Sequence, residues 1–168
     1  AEIEAKIKND WRFDRVTHFN DAKTSPQAFF AVGGGVAILA FRGTEPGKLP
    51  DMKTDAEIRL KRSPDYPGEI HEGFATALAS VYAPVKAAVE ALPGSGALLY
   101  ITGHSLGAAL ATLCAQRLTA ARGYPIQGVW TYGSPRVGNP DFAMTYQPQL
   151  GARTYRLVNN EDLVTRVP

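Results

Sequence analysis

Residues Gly103-His104-Ser105-Leu106-Gly107 set a serine between two glycines in the pattern G-x-S-x-G, directly after the apolar run Ala97-Leu98-Leu99-Tyr100-Ile101-Thr102. The Ala- and Leu-rich stretch Ala108–Ala121 that follows reads as a helix. A strand, a five-residue turn and a helix form the context in which a serine hydroxyl serves as a nucleophile. The turn is tight enough to strain the backbone at Ser105, and the flanking glycines relieve the crowding. The hydroxyl is then lifted out on a surface turn at the carboxyl end of the strand, with a helix N-terminus aimed at it. The pentapeptide alone is a weak signal and its flanks make it a strong one. The competing reading is a Gly-rich strand–helix turn with an ordinary serine. An activated serine also needs a base, a group that orients the base, and donors for the developing oxyanion.

Those groups must be held by a core, and 168 residues suffice for a single domain with one. Apolar residues make up 45% and charged residues 20%, near globular norms. The net charge is +2 with both signs mixed along the chain, so no basic stripe points to nucleic acid. Cys114 is the single cysteine and lies in a helical pattern, as a buried structural thiol would. No run approaches the ~18 apolar residues of a membrane span, and the N-terminus lacks the pattern of a signal peptide. The chain reads as soluble; secretion is compatible with this, and the compartment is left open. No cofactor and no metal is expected.

The elements alternate. Residues 1–10 carry Ile3 and Ile7 among charges, a short amphipathic helix. Ala28–Val32 and Val36–Phe41 flank Gly33-Gly34-Gly35 as a hairpin. Residues 45–70 hold Pro46, Pro50, Pro64 and Pro67 with many charges, a long surface excursion broken only by a helical piece near Thr54–Leu60. Phe74–Leu92 is an apolar-periodic helix that Pro84 should kink. The strand 97–102, the helix 106–121 and the strands Val129–Tyr132 and Thr154–Val158 complete the chain. This order predicts one α/β domain over residues 1–168, with a mostly parallel sheet and helices on both faces.

The chain resembles the class 3 lipases, the α/β-hydrolase group of the fungal triacylglycerol lipases and a feruloyl esterase. The resemblance rests on Phe41-Arg42-Gly43-Thr44, His71-Glu72-Gly73-Phe74, the pentapeptide 103–107, Thr131-Tyr132-Gly133-Ser134-Pro135-Arg136-Val137-Gly138-Asn139, and Val158-Asn159-Asn160-Glu161-Asp162-Leu163-Val164. It covers roughly residues 28–168 and implies the α/β-hydrolase fold and serine-based ester hydrolysis through an acyl-enzyme.

Asp162 follows the strand 154–158, on a loop at the carboxyl edge of a parallel sheet, where such sites are built. The resemblance maps the catalytic acid onto it, with Glu161 a weaker candidate and a loop-capping role the alternative. The Leu106 N–H should supply one oxyanion donor. Thr44, after the strand ending at Phe41, should supply the other, as its counterpart in the family does; a plain turn hydroxyl is the competing reading. Arg42 is expected to brace that loop through buried hydrogen bonds. The base is missing from this pattern. His104 precedes Ser105 and should point to the opposite face. His71 reads as a helix-start or packing histidine, and His18 lies too early in the chain order. The resemblance implies a histidine on a loop beyond Pro168, so the C-terminal part, whether continuous or a separate bound fragment, is expected to carry it.

The excursion after Thr44 matches the family's lid region. It offers only Leu49 and Met52 as large apolar groups, which argues for weak interfacial activation and for small or soluble esters. Two readings of function remain. One is a lipase or esterase of lipid degradation, acting on ester or lipid substrates. The other is a catalytically silent α/β-hydrolase-like domain that binds a lipid or a partner.

Overall fold

The computed structural model describes residues 2–20, 27–43, 59–92, 97–122, 124 and 126–158. The elements, in order, are α1 (Glu2–Asn9), β1 (Arg15–Asn20), β2 (Gln27–Gly33), β3 (Val36–Phe41), β4 (Leu60–Ser63), β5 (Tyr66–His71), α2 (Glu72–Glu90), β6 (Leu98–His104), α3 (Leu106–Arg122), β7 (Ile126–Tyr132), α4 (Pro140–Leu150), a 3-10 turn (Gly151–Arg153) and β8 (Thr154–Leu157). The main sheet runs β1-β2-β3-β6-β7-β8. Its first two pairings are antiparallel and its last three, β3 with β6, β6 with β7 and β7 with β8, are parallel.

Period-two patterning decides which side chains meet. On β3, Ala37, Leu39 and Phe41 are buried while the residues between them are half-buried. The register places Leu39 opposite Ile101 and Phe41 opposite Gly103, so one face of the sheet is continuous across both strands. That face packs with Leu78, Val81 and Val85 of α2 and with Leu110, Leu113 and Leu118 of α3 into one core. Each fully buried Leu or Ile contributes about 1.5–3 kcal/mol relative to exposure. Most residues of α3 from Ala108 to Leu118 are inaccessible, as expected of a helix apolar on nearly all sides. Its alanines let it lie close to the strands.

The opposite face is covered at one end. His18 of β1 reaches Glu4 of α1 at 3.6 Å, whereas its neighbour Phe19 enters the core on the other side. Helices therefore lie on both faces, as expected. Toward the β8 edge, no described helix covers this second face. Trp130 and Tyr155 stack there at 4.2 Å, and Leu98, Tyr132 and Leu157 are exposed beside them.

Several local expectations are corrected. Residues 60–71 are not an irregular excursion but the antiparallel hairpin β4–β5, with a bulge between Arg62 and Ser63. Leu60 opens a strand rather than closing a helix; the rest of that expected helical piece, and the lid stretch with Leu49 and Met52, lie outside the described residues. The helix α4 was not foreseen, although Asn139 followed by Pro140 is a start signal: the Asn139 side chain caps the helix by accepting from the Phe142 N–H at 3.1 Å. The helix α2 runs unbroken through Pro84. Cys114 is fully buried, and burial pushes its thiol pKa up.

Candidate active site

β6 ends at His104 and α3 begins at Leu106, leaving Ser105 as the whole connection between strand and helix. The backbone at Ser105 has φ 54°, left-handed and rare for a residue with a side chain. The crowding behind it explains both glycines. A Cβ on Gly103 would collide with the carbonyl of Gly107, and a Cβ on Gly107 would collide with the carbonyl of Phe41. Gly43 meets the same constraint against the carbonyl of His104, at 2.6 Å.

The Ser105 N–H donates to the carbonyl of Tyr132 at 2.9 Å, and the Ser105 carbonyl accepts from Ala108 N–H at 2.9 Å as the helix starts. The Leu106 N–H belongs to the first turn, whose amides a helix leaves without an intrahelical acceptor. Ser105 is not on an open turn as its position suggested: it is 2% exposed, and its hydroxyl has no hydrogen-bond partner among the described residues. The side chain of His104 is exposed, the opposite orientation to Ser105.

The sequence motifs converge on this turn. Thr131 and Tyr132 end β7 beside Gly103 and His104. The next residue, Gly133, donates its N–H to Leu157 at 3.0 Å, and Arg156 donates to the Ser134 carbonyl at 2.8 Å, tying the post-β7 loop to β8. On the other side, His71 N–H donates to Val137 O at 2.9 Å, Asn139 N–H to Glu69 O at 2.9 Å, and Glu69 N–H to Asn139 Oδ1 at 3.1 Å. Ile70 and Gly138 complete this contact as an isolated antiparallel bridge. Arg42 is exposed, not buried as expected of a brace.

His71 is the helix-start histidine the sequence suggested. Its Nδ1 accepts from Gly73 N–H at 3.1 Å, capping α2, and its ring stacks on Phe74 at 4.2 Å. Burial lowers its pKa, with Glu72 opposing that shift more weakly. None of the three histidines is bonded to Ser105, whose hydroxyl has no partner among the described residues. Thr44, Glu161 and Asp162 lie outside the described residues. Tyr132, whose carbonyl suspends the turn, escaped the sequence reading, because a backbone acceptor leaves no mark on residue type. Among the described residues no group of three or more His, Cys, Asp or Glu could hold a metal.

A mostly parallel sheet carrying a strained serine between strand and helix defines an α/β-hydrolase. The lipase (class 3) family model matches residues 38–168, and the chain belongs to that family. A secreted mono- and diacylglycerol lipase of Fusarium solani is 44% identical over 101 residues, which are 59% of this chain and 29% of that protein. The Rhizomucor miehei triacylglyceride lipase structure superposes with TM-score 0.76 at 27% identity, covering 90% of this chain and 59% of that one. A triacylglycerol lipase described as having a serine-protease triad at its catalytic centre superposes with TM-score 0.75 at 28% identity and the same coverages. The chain thus spans less than two-thirds of each of these relatives.

Proposed function

We propose that this chain carries the nucleophile and the oxyanion donors of a carboxylic ester hydrolase acting on acylglycerols or simpler esters. The observation that carries this is the Ser105 hydroxyl, buried, without a partner among the described residues, on backbone at φ 54° between β6 and α3. A buried hydroxyl left unpaired costs about 1–3 kcal/mol, and such groups concentrate where function needs them. In this reading Ser105 attacks the ester carbonyl and becomes acylated as the alcohol leaves with a proton, and water then cleaves the acyl-enzyme to release the acid and restore the serine. The N–H groups of Leu106 and Thr44, together with the Thr44 hydroxyl, stabilise the oxyanion, and Asp162 orients a histidine that takes the serine proton. The triad described for a structural relative supports the Asp162 and histidine roles. Choice among triacylglycerol, diacylglycerol and small soluble esters rests on segments outside the described residues.

The histidine in this reading lies in polypeptide beyond Pro168, continuous or bound as a separate fragment. Two observations support it: the relatives are longer than this chain, and no helix among the described residues covers the sheet face on which Trp130, Tyr132, Tyr155 and Leu157 are exposed. Parallel strands are normally covered on both faces.

The test uses the full-length protein. A fluorophosphonate should label Ser105, and Ser105→Ala should abolish p-nitrophenyl butyrate hydrolysis. Thr44→Val should lower kcat by roughly 10²–10³ with little change in KM, the signature of a lost oxyanion donor. Retained hydrolysis in Ser105→Ala would overturn the assignment of Ser105, whereas no hydrolysis by the unaltered protein would leave the silent-domain reading in its place.

A further inference from the structure

A groove of about 310 Å³ runs between the β4–β5 hairpin and α2, and no residue of the serine turn lines it. Its floor is apolar: Pro64, Tyr66 and Ile70 from the hairpin, Ala75 and Ala79 from α2. The two alanines stand one turn apart and keep the helix side of the groove open. Among its lining residues Tyr66 is 7% exposed, yet its hydroxyl has no hydrogen-bond partner among the described residues. That hydroxyl lies within electrostatic reach of Arg117 and Asp65, and burial keeps it protonated, a donor.

The rim is charged and uneven. Lys61 pairs with Glu72 at 2.9 Å and Arg117 with Asp65 at 2.9 Å. Among the described residues Arg62 reaches only Glu69, at 3.8 Å, with its side chain 86% exposed. The groove is therefore lined by three cations and two carboxylates, and Arg62 is the cation whose pairing is loosest. A planar guanidinium in that state is suited to accept a carboxylate with two parallel hydrogen bonds. At roughly 30 Å³ for each non-hydrogen atom, the volume holds about ten of them.

We propose that this groove is a second ligand site, separate from Ser105, for a carboxylate-headed amphiphile the size of a medium-chain fatty acid. The tail lies over Ile70, Ala75 and Ala79, and the head meets Arg62 at the rim. The site stands on its own geometry and holds whether or not Ser105 is a nucleophile.

Octanoate has the required size and is the probe. Titration calorimetry of the full-length Ser105→Ala protein with octanoate should show saturable binding. Ala79→Trp fills the groove from an exposed helix position, and Arg62→Glu reverses the charge at its rim. Each should weaken this binding about tenfold or more, the scale of one lost charge-assisted contact. Octylamine, with the same tail and a cationic head, should not bind there. Octanoate held elsewhere, including beside Ser105, would be insensitive to both substitutions. Absence of saturable binding, affinity unchanged in both variants, or equal binding of octylamine would each overturn the proposal. If Ala79→Trp does not fold, as judged by its thermal melt, Arg62→Glu decides alone, because its exposed side chain does not support the core.

Discussion

The Ser105 N–H donates to the carbonyl of Tyr132 at 2.9 Å, so the turn that presents the serine hangs from the end of the neighbouring strand. Tyr132 in turn pairs with His104 on one side and Leu157 on the other. A displacement of β8 would therefore reach Ser105 through one strand's width of backbone hydrogen bonds, with no side chain needed to transmit it. The neighbouring carbonyl and the glycines below fix the serine's position more firmly than any contact of its own hydroxyl.

Gly107→Ala should be among the more damaging single-methyl changes at the described glycines. The added Cβ would strike the carbonyl and carbonyl carbon of Phe41 and the backbone of Arg42, none of which can rotate away as a side chain could. Overpacking against backbone costs typically 1–3 kcal/mol. Because the strike point is the end of β3, the distortion also spreads toward Gly43. Urea unfolding should show a lower midpoint, and ester hydrolysis should fall even at temperatures where the variant stays folded. Wild-type stability and activity in this variant would mean that β3 and α3 separate more easily than their contact implies.

Ser105→Ala should remove activity while leaving stability unchanged or raising it by up to about 1 kcal/mol. The hydroxyl is buried without a partner among the described residues, so its removal forfeits no hydrogen bond to them and eliminates a desolvated polar group. The backbone strain at φ 54° is common to both residues and cancels. Paired urea melts of the two proteins check this. A clear loss of stability would show that the hydroxyl is bonded in the folded protein.

The strands and long helices were legible because their apolar periods are strong, as in Val36–Phe41 and in the stretch after Leu106. The hairpin β4–β5 was not legible. Its large apolar positions are few (Leu60, Tyr66 and Ile70), prolines interrupt it, and it is held by partners distant in sequence, Val137 to Asn139. The helix α4 was missed for a different reason: Pro148 within it and the weak periodicity around Phe142, Tyr146 and Leu150 hid a signal that the Asn-Pro start had announced. Ser105 and Leu106 were readable from spacing. The burial of the Ser105 hydroxyl was not, because it depends on the surrounding fold rather than on the turn itself.

His71 makes stability depend on pH in a known direction. Its Nδ1 must be unprotonated to accept from Gly73, and burial lowers its pKa below the ordinary 6.5. The unfolded chain therefore binds a proton at higher pH than the folded chain does, and stability rises with pH wherever that difference persists. The contribution is fully present above pH about 6.5 and is lost as pH falls through the interval between the unfolded and folded values, levelling off below it. The facing charged group is Glu72, itself paired with Lys61 at 2.9 Å. His71→Asn keeps a capping acceptor that does not titrate. Its urea midpoint should lack this acid-side decline while matching the parent near neutral pH. An identical decline in both proteins would place the titrating group elsewhere.

Asn139 holds two elements at once, and its loss should be felt in both. Its Oδ1 accepts from Phe142 N–H, capping α4, and from Glu69 N–H in β5, each at 3.1 Å. Its own N–H donates to Glu69 O at 2.9 Å, a backbone bond that survives substitution. Asn139→Ala therefore removes one cap and one inter-element hydrogen bond, a loss of about 1–3 kcal/mol from the two together. Asn139→Asp keeps the acceptor oxygen and adds charge at a helix N-terminus, where it is favourable, so it should lose far less. Hydrogen exchange separates the two consequences. In Asn139→Ala the amides of Glu69 and Phe142 should both exchange faster, whereas the Ser105 amide, bonded to Tyr132 in the main sheet, should keep its protection. Protection lost at Phe142 but retained at Glu69 would show that the hairpin is held by the Ile70–Gly138 bridge and the His71–Val137 bond alone, and that Asn139 serves only its helix.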